Sequence, residues 1–291
     1  MKRVSIIVLN WNGKQWMEKC LSSIKKNTTY PDYEVIVVDN GSKDGSVELL
    51  EKLKTKGYID VLIKNSENMG FAYANNQGFA KARGNYYFML NNDTLVTKDW
   101  LKNAVRVLES NSRIAAVGSK LIQEADYDAK EYDIKPDVEK QTTCGAAMLM
   151  RKDVTDKIGI LDAENFSPIY GEETDWCYRA RNAGFKIMET DSSRVVHLGS
   201  VDTKRQTGKE WQYTLMNTNR LKAMLYNLGP VEFTKHVPGL GLIFVRSIKD
   251  GMLKYLLESY WNNVKMLGHT LKERKKRKLI AKKIKKENSQ K

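Results

Sequence analysis

Cysteine is scarce in this sequence, and the three residues present form no framework. Cys20, Cys144 and Cys177 are scattered over 291 residues, and none belongs to a CxxC pair. An odd number of isolated thiols argues against structural disulfides and zinc sites and is typical of proteins in a reducing compartment. We therefore expect a cytoplasmic protein.

Long apolar segments and glycine-rich phosphate motifs are missing as well. Met1-Lys2-Arg3 precedes only six mostly apolar residues, which is too short for a signal peptide. The longest run of apolar, Gly and Pro residues is 237–245, whereas a membrane-spanning helix needs about 20 residues. Neither GxGxxG nor GxxxxGKS/T is present, which argues against a nicotinamide-dependent dehydrogenase and a P-loop NTPase. A bound diphosphate would then be held by a metal ion rather than by a glycine loop.

Positive charge is concentrated at the C-terminus. Hydrophobic residues make up 41% and charged residues 29% of the chain, as in a soluble globular protein. The formal net charge is +14, but residues 272–291 contain eleven Lys or Arg and two Glu, which accounts for +9. Because no aromatic residues are interleaved with these basic ones, the composition argues against a nucleic-acid-binding protein.

Strand and helix patterns alternate four times in residues 1–94. Each predicted strand is a short, almost continuous apolar run, as in a parallel strand that is covered on both faces. Short connections between alternating strands and helices predict an α/β fold with a doubly wound, mostly parallel sheet flanked by helices. The predicted strands are residues 4–9, 33–38, 61–64 and 86–90.

After residue 94 the regular alternation of predicted strands and helices ends. From about Trp211 the pattern is helical, and residues 248–264 form a predicted amphipathic helix with Tyr260 and Trp261 on its apolar face. We divide the chain into a nucleotide-binding half, a second half, a helical extension and a polybasic tail. The boundaries are 1–94 and 95–226, which together form one domain, then 227–271 and 272–291. In the second half we predict helices at 100–108 and 170–183 and short strands at 114–118, 146–151 and 186–190.

Small oxygen-bearing side chains follow two of the predicted strands. Asn91-Asn92-Asp93 ends one strand, and Asp39 ends another. Open α/β sheets bind ligands at the carboxyl ends of their strands, and hard divalent cations prefer oxygen ligands. A carboxylate such as Asp39 can also accept from a base or from ribose hydroxyls. A simple turn is an alternative interpretation of each cluster.

Seven motifs occur in an order that resembles the family 2 glycosyltransferases, over about residues 3–226. The form of the third and fourth motifs is most similar to the rhamnosyltransferase-like branch. The motifs are VSIIVLNWN from Val4, VVDNGS from Val37, NMGFAYANN from Asn68, LNNDT from Leu90, CGAA from Cys144, GEETDWCYR from Gly171 and VVHLG from Val195.

The resemblance implies a GT-A fold and a metal-dependent, inverting transferase. Such an enzyme uses Mn²⁺ or Mg²⁺ and moves a hexose or deoxyhexose from a UDP- or dTDP-sugar. The acceptor would be a lipid-linked glycan or a polysaccharide, as in cell-envelope polysaccharide synthesis. A sugar nucleotidyltransferase and a degenerate, non-catalytic glycan-binding member remain alternatives.

The resemblance also assigns residues to the donor site. Asn91 and Asp93 occupy the two acidic positions of the family's Asp-x-Asp motif, so Asp93 is left as the single carboxylate for the metal. His197 corresponds to a histidine that some members place on the metal, although a structural role is equally compatible. The residues assigned to nucleotide-sugar binding are Asn10, Trp11, Asp39, Asn68, Asn76, Asn91 and Asn92.

Three acids at a predicted helix start are candidates for the catalytic base. Glu172, Asp175 and Arg179 share a helix face, so at least one of the two acids is expected to pair with the arginine. Glu173 lies on another face, in the first helical turn, where the helix dipole favours the ionised form that a base needs. The resemblance places Glu173 on the family's catalytic acid, and Asp175 remains the second candidate.

The C-terminal pattern predicts a further partner. An amphipathic helix followed by a polybasic segment can hold a protein on an anionic bilayer. We therefore expect peripheral attachment to the inner face of the cell membrane through the C-terminal region. The alternative is a helix that packs on the domain, followed by a solvated tail.

Overall fold

The computed structural model describes residues 2–127, 133–198 and 208–289. The last residue of the VVHLG motif and the last two residues of the predicted polybasic tail lie outside these ranges. The described residues form one nine-stranded sheet with helices on both of its faces.

The first part of the chain forms a parallel sheet, as predicted. Its strand order is β3-β2-β1-β4, and all three neighbouring pairs are parallel. The polar residues that end the strands are therefore brought to one edge, where Asn10 pairs in register with Asp39 and Leu9 pairs with Asn91. The elements are β1 (Val4–Asn10), α1 (Lys14–Asn27), β2 (Tyr33–Asp39), α2 (Ser46–Thr55), β3 (Val61–Lys64), α3 (Phe71–Lys81) and β4 (Tyr86–Asn91).

The second part makes the sheet mixed rather than mostly parallel. β8 is antiparallel to both β4 and β6, β6 is parallel to β9, and β5 and β7 are antiparallel to β9. The strand predicted at 186–190 continues to His197 through an irregularity in its pairing with β6. The elements are β5 (Thr94–Val96), α4 (Trp100–Glu109), β6 (Ile114–Ile122), β7 (Val138–Lys140), β8 (Ala147–Arg151), α5 (Lys152–Ile158), α6 (Ala163–Phe166), α7 (Glu172–Asn182) and β9 (Lys186–His197).

Each face of the sheet has its own apolar core. On one face α1, α2 and α4 pack around side chains such as Phe88 and Trp100, whose rings meet edge to face at 4.5 Å. On the other face α3, α5 and α7 pack around side chains such as Ile7, Met148 and Trp176. Burial on both faces explains why the strands are continuous apolar runs.

Residues 208–289 form five helices, and the amphipathic segment predicted at 248–264 is divided between two of them. The break falls at Gly251, whose φ of +67° does not continue a helix. Of the helices in the described part of the chain, none is both long and apolar enough to cross a membrane. The helices are α8 (Lys209–Asn227), α9 (Pro230–Thr234), α10 (Val237–Lys249), α11 (Leu253–Lys265) and α12 (Leu267–Ser289).

The predicted polybasic tail is a helix that packs on the domain. α12 contacts α7 and α8, and its Arg277 and Ile284 are buried. Arg274 donates from Nη1 to the carbonyl of Leu225 and from Nη2 to that of Leu228, close to the end of α8. The alternative of a packed helix followed by a solvated tail therefore does not describe Arg277 and Ile284, which lie within the predicted tail and are buried. The proposed domain boundaries stay a prediction.

Candidate functional site

Three strand ends are joined by a buried amide and carboxylate network. Asn10 donates from Nδ2 to Asp39 at 2.8 Å and accepts at Oδ1 from Asn92 Nδ2 at 2.8 Å. Asp39 also accepts from the backbone N–H of Ser42. Asn10 and Asp39 are fully buried. They therefore hold the loops after β1, β2 and β4 together beneath the pocket rather than lining it.

A large pocket opens directly above this network. It encloses about 1370 Å³, part of it open to solvent, which is ample for a small-molecule site. Of the residues assigned to nucleotide-sugar binding, Trp11, Asn68, Asn91 and Asn92 line it. Asn40 donates to Asn68 Oδ1 at 2.9 Å and so fixes that side chain at the wall.

Asp93 and His197 meet at the pocket wall. Thr94, the first residue of β5, pairs with His197, the last residue of β9, and this antiparallel pairing brings Asp93 alongside. Asp93 Oδ1 lies 3.2 Å from His197 Nε2, and these buried atoms have no other partner among the described groups. The contact with Asp93 raises the pKa of His197. An exposed turn would solvate both groups. Two buried ligand atoms that face each other, without any partner beyond one another, fit a divalent cation instead.

Glu172 and Glu173 form a carboxyl pair at the first turn of α7, and both line the pocket. Burial raises the pKa of Glu172 well above 4.5, and the charge of Glu173 adds to this increase. Burial also raises the pKa of Glu173, although hydrogen bonds from the backbone and from Thr174 oppose it. The helix dipole alone therefore does not decide the protonation of Glu173. The increase is larger for Glu172, so Glu173 is the member of the pair that ionises more readily and can then accept a proton.

Asp175 lies behind the pocket, fully buried in an ion-pair cluster. It accepts from Arg179 Nε at 2.8 Å and from Asn227 Nδ2 at 2.7 Å, and it pairs with Arg277. The expected pairing of an acid with Arg179 is therefore made by Asp175. With both of its oxygens occupied by donors, Asp175 is placed to hold the structure rather than to reach a substrate.

Asn76 is also placed away from the pocket. Its Nδ2 donates to the carbonyl of Leu161 at 2.8 Å, and its Oδ1 accepts from the N–H of the same residue. This reciprocal pair ties α3 to the segment that leads to α6. The structure therefore gives Asn76 a supporting position.

The sequence analysis missed several residues that line the pocket. Trp211, at the start of α8, closes one side and is 42% exposed. Tyr170 lies on another side, in a turn where it has a φ of +76°. The backbone at Gly145 packs on Glu173, since a Cβ there would lie 3.3 Å from Glu173 Cγ. The signal for Gly145 was present in the CGAA motif, whereas nothing local marks Trp211.

A family model described as glycosyl transferase family 2 matches residues 5–159, which is more than half of the chain. The chain belongs to this family. An uncharacterized glycosyltransferase of Haemophilus influenzae is 34% identical over 118 residues, 40% of this chain and 36% of that relative. Uncharacterized glycosyltransferase YfnE of Bacillus subtilis is 24% identical over 96% of this chain and 64% of its own length. Glycosyltransferase AglE of Haloferax volcanii is 29% identical over 63% of each chain. This family member thus spans less than two thirds of the length of these curated relatives.

Solved structures show the same fold. Mannosyltransferase PcManGT from Pyrobaculum calidifontis, solved with GDP-Man and Mn²⁺, gives a TM-score of 0.64 at 17% identity, over 97% of this chain and 85% of its own. GalNAc-T7, solved with UDP, GalNAc and Mn²⁺, gives a TM-score of 0.64 at 14% identity, over 78% of this chain and 48% of its own. The predicted GT-A fold with a helical C-terminal region is confirmed, with a sheet that is mixed.

Proposed function

We propose that this family 2 member is a glycosyltransferase that moves a sugar from a nucleoside-diphosphate sugar to a hydroxyl group with inversion. The observation that carries the proposal is the convergence of three groups in one pocket. The loops at the sheet edge, the Asp93–His197 pair and the Glu172–Glu173 pair all line the same cavity. A nucleotide site, a cation site and a base are the parts that a single displacement requires.

The residues divide the chemistry between them. Glu173 accepts the proton of the attacking acceptor hydroxyl, while the protonated Glu172 beside it adds no second charge. Trp11, Asn68 and Asn92 hold the nucleotide at the sheet edge. Asp93 and His197 would hold a divalent cation, Mn²⁺ or Mg²⁺. When bound, that cation supplies positive charge for the diphosphate leaving group.

Asp93 and His197 alone would not fill the coordination shell of a divalent cation. Oxygens of the bound donor and water would have to supply the remaining ligands. Residues 2–127, 133–198 and 208–289 contain no group of three or more His, Cys, Asp or Glu that could hold a metal ion. A cation that keeps waters and takes diphosphate oxygens needs only one or two protein ligands. We therefore expect cation and donor to bind together. The Mn²⁺ in the PcManGT and GalNAc-T7 structures supports this expectation.

A donor screen tests the proposed function. Purified protein is incubated with UDP-, dTDP- and GDP-sugars and with Mn²⁺ or Mg²⁺, and released nucleoside diphosphate is measured. Turnover of one donor class would support the proposal and would identify the base and the sugar, including the deoxyhexose of a rhamnosyltransferase-like enzyme. Release of pyrophosphate from a nucleoside triphosphate and a sugar 1-phosphate would favour a nucleotidyltransferase instead. Nucleotide binding without any turnover would indicate a non-catalytic member.

We further infer that the acceptor is a lipid-linked glycan or polysaccharide at an anionic membrane surface. α10 exposes an apolar stripe at helical spacing, with Val237, Phe244, Val245 and Ile248 between 40% and 54% exposed. α11 exposes another, with Leu257, Trp261 and Val264 at i, i+4 and i+7. Within the predicted amphipathic segment 248–264, Met252 and Leu256 are buried instead of exposed.

The positive charge around these stripes favours an anionic bilayer as the surface that they bind. Exposed lysines flank them, and α12 adds a further basic surface. Each Lys or Arg near an anionic leaflet contributes about 1 kcal/mol before screening. Two apolar stripes beside this charge form the two-part anchor that peripheral attachment requires.

Vesicle co-sedimentation tests the attachment with single substitutions, because deleting residues 246–291 would also remove buried residues. Trp261→Glu and Val245→Glu should reduce binding to phosphatidylcholine–phosphatidylglycerol vesicles. Ile134→Glu adds the same charge outside the two stripes, at a position that is 55% exposed, and should leave vesicle binding unchanged. Equal binding by all variants would contradict the attachment. So would a dimer in gel filtration that Trp261→Glu abolishes, because the stripes would then join two copies of the chain.

A further inference from the structure

One arginine of the C-terminal helix reaches the helix that carries the carboxyl pair. Arg277 of α12 is 7% exposed and forms ion pairs with Asp175 and with Asp162. Its guanidinium also lies 4.6 Å from the centre of the Tyr226 ring. Burial lowers the pKa of Arg277 to about 10, so it remains cationic at neutral pH.

Asp162 and Asp175, two of the three acids that pair with Arg277, bracket a functional segment, and the third, Glu273, lies on α12 itself. Asp162 precedes α6, where it accepts from the N–H of Asn165, and Asp175 lies in the first turn of α7. Between them, residues 163–174 contain the pocket wall at Ile169 and Tyr170 and both members of the carboxyl pair. One planar guanidinium therefore joins the two ends of the segment that presents the proposed base.

Helix α8 holds the middle of the same segment. Asn219 Nδ2 donates to the carbonyls of Ile169 and Tyr170 at 3.1 and 2.9 Å. Lys222 Nζ donates to the carbonyl of Asn165 at 2.7 Å. α8 therefore holds the middle of the segment, and Arg277 adds a direct link between its two ends.

We propose that Arg277 is a positioning residue, which fixes the first turn of α7 through Asp175 and thereby the place of Glu173 in the pocket. The proposal rests on the proposed function insofar as Glu173 is the base. A displacement of about 1 Å at a reacting group can cost about 100-fold in rate. The C-terminal helix is then part of the catalytic architecture, and not only an anchor.

Turnover kinetics of the full-length protein test the first consequence. Arg277→Gln should lower kcat between about 10- and 100-fold, with the donor KM and UDP affinity unchanged, because the nucleotide loops do not touch Arg277. Arg277→Lys keeps the charge but loses the planar fork, so it should restore only part of kcat. Lys278→Gln removes an exposed charge from the next position of α12 and serves as the matched control. Wild-type kcat in Arg277→Gln would overturn the proposal.

The thiol of Cys144 reports the position of Glu173 without any substrate. The side chain of Cys144 is exposed, and its pKa is raised mainly by partial desolvation in the pocket, to which the charges of Glu173 and Asp93 add. Burial raises the pKa of Cys20 and Cys177 to about 12, so neither thiol competes for an alkylating reagent in the folded protein. Glu173→Gln should therefore speed the alkylation of Cys144 by iodoacetamide at pH 8.

The same reaction distinguishes a positioning role from a structural one. If Arg277→Gln displaces Glu173, Cys144 in this variant should be alkylated at a rate closer to that measured in Glu173→Gln. In Lys278→Gln, Cys144 should be alkylated at the wild-type rate. Thermal unfolding is measured alongside. A loss of kcat that follows the unfolded fraction, with an unchanged thiol rate in the folded protein, would overturn the proposal. If no donor is turned over by the wild type, the proposed function fails, and the thiol rates still test the positioning of Glu173.

Discussion

Replacement of Glu173 by glutamine removes the proposed proton acceptor and keeps the shape of the side chain. Glu173 lines the pocket against Gly145, so an amide of equal size fits the same space. General-base catalysis typically contributes about 10²–10⁴-fold in rate. We therefore expect kcat to fall by this factor, which corresponds to about 3–5 kcal/mol in the activation barrier. The KM for the donor should change little, because the nucleotide-binding loops lie at the sheet edge.

The pH dependence provides an independent signature of the same residue. Because burial raises the pKa of Glu173, the wild-type rate should decline on lowering the pH through a value above 4.5, as the base becomes protonated. Glu173→Gln should lack this acid limb over the same pH range. Rates are measured as released nucleoside diphosphate at saturating donor.

Asp175→Asn is the informative contrast, because its carboxylate pairs with Arg179 and Arg277 out of reach of the pocket. Breaking one partner of a buried ion pair costs about 3–5 kcal/mol, so the free energy of unfolding should fall by that order. Glu173→Gln should leave this free energy nearly unchanged. Normal turnover by Glu173→Gln, together with a stable but inactive Asp175→Asn, would refute the assignment and make Asp175 the base.

Three further substitutions, with Gly239→Ala as a matched control for the last, separate the cation site, the carboxyl pair and the core. Asp93→Ala should abolish metal-dependent UDP or dTDP binding in calorimetry while the protein stays folded, and full activity of the wild type in EDTA would contradict the cation site. Glu172→Gln should raise the melting temperature at pH 8 and much less near pH 4.5, because a buried acid with a raised pKa costs stability only where the unfolded chain is ionised. Gly118→Ala should lower the free energy of unfolding by about 1–3 kcal/mol, since its Cβ would lie 1.7 Å from Thr143 Oγ1. Gly239→Ala, with open space in α10, should instead be neutral or stabilising, and an equal loss in both variants would contradict this reasoning.

Local patterns in the sequence determined the first half of the fold. Four apolar runs predicted the parallel strands β1 to β4, because strands buried on both faces must be apolar throughout. The same logic placed Asn91, Asn92 and Asp93 at the carboxyl edge, since parallel strands end on one side of a sheet. The family resemblance added Glu173 and His197 as candidates, and the structure brings both to the pocket wall with Asp93.

Long-range pairing decided the rest. No local pattern joins Asp93 to His197, because their contact depends on the antiparallel pairing of β5 with β9. Helical spacing correctly indicated a salt bridge to Arg179, but it could not show that Arg277 would also reach Asp175. The Lys- and Arg-rich end resembles a solvated tail because composition records charge and not partners. Whether such a charge is buried depends on acids that other elements of the fold bring to it, and only the tertiary structure supplies these.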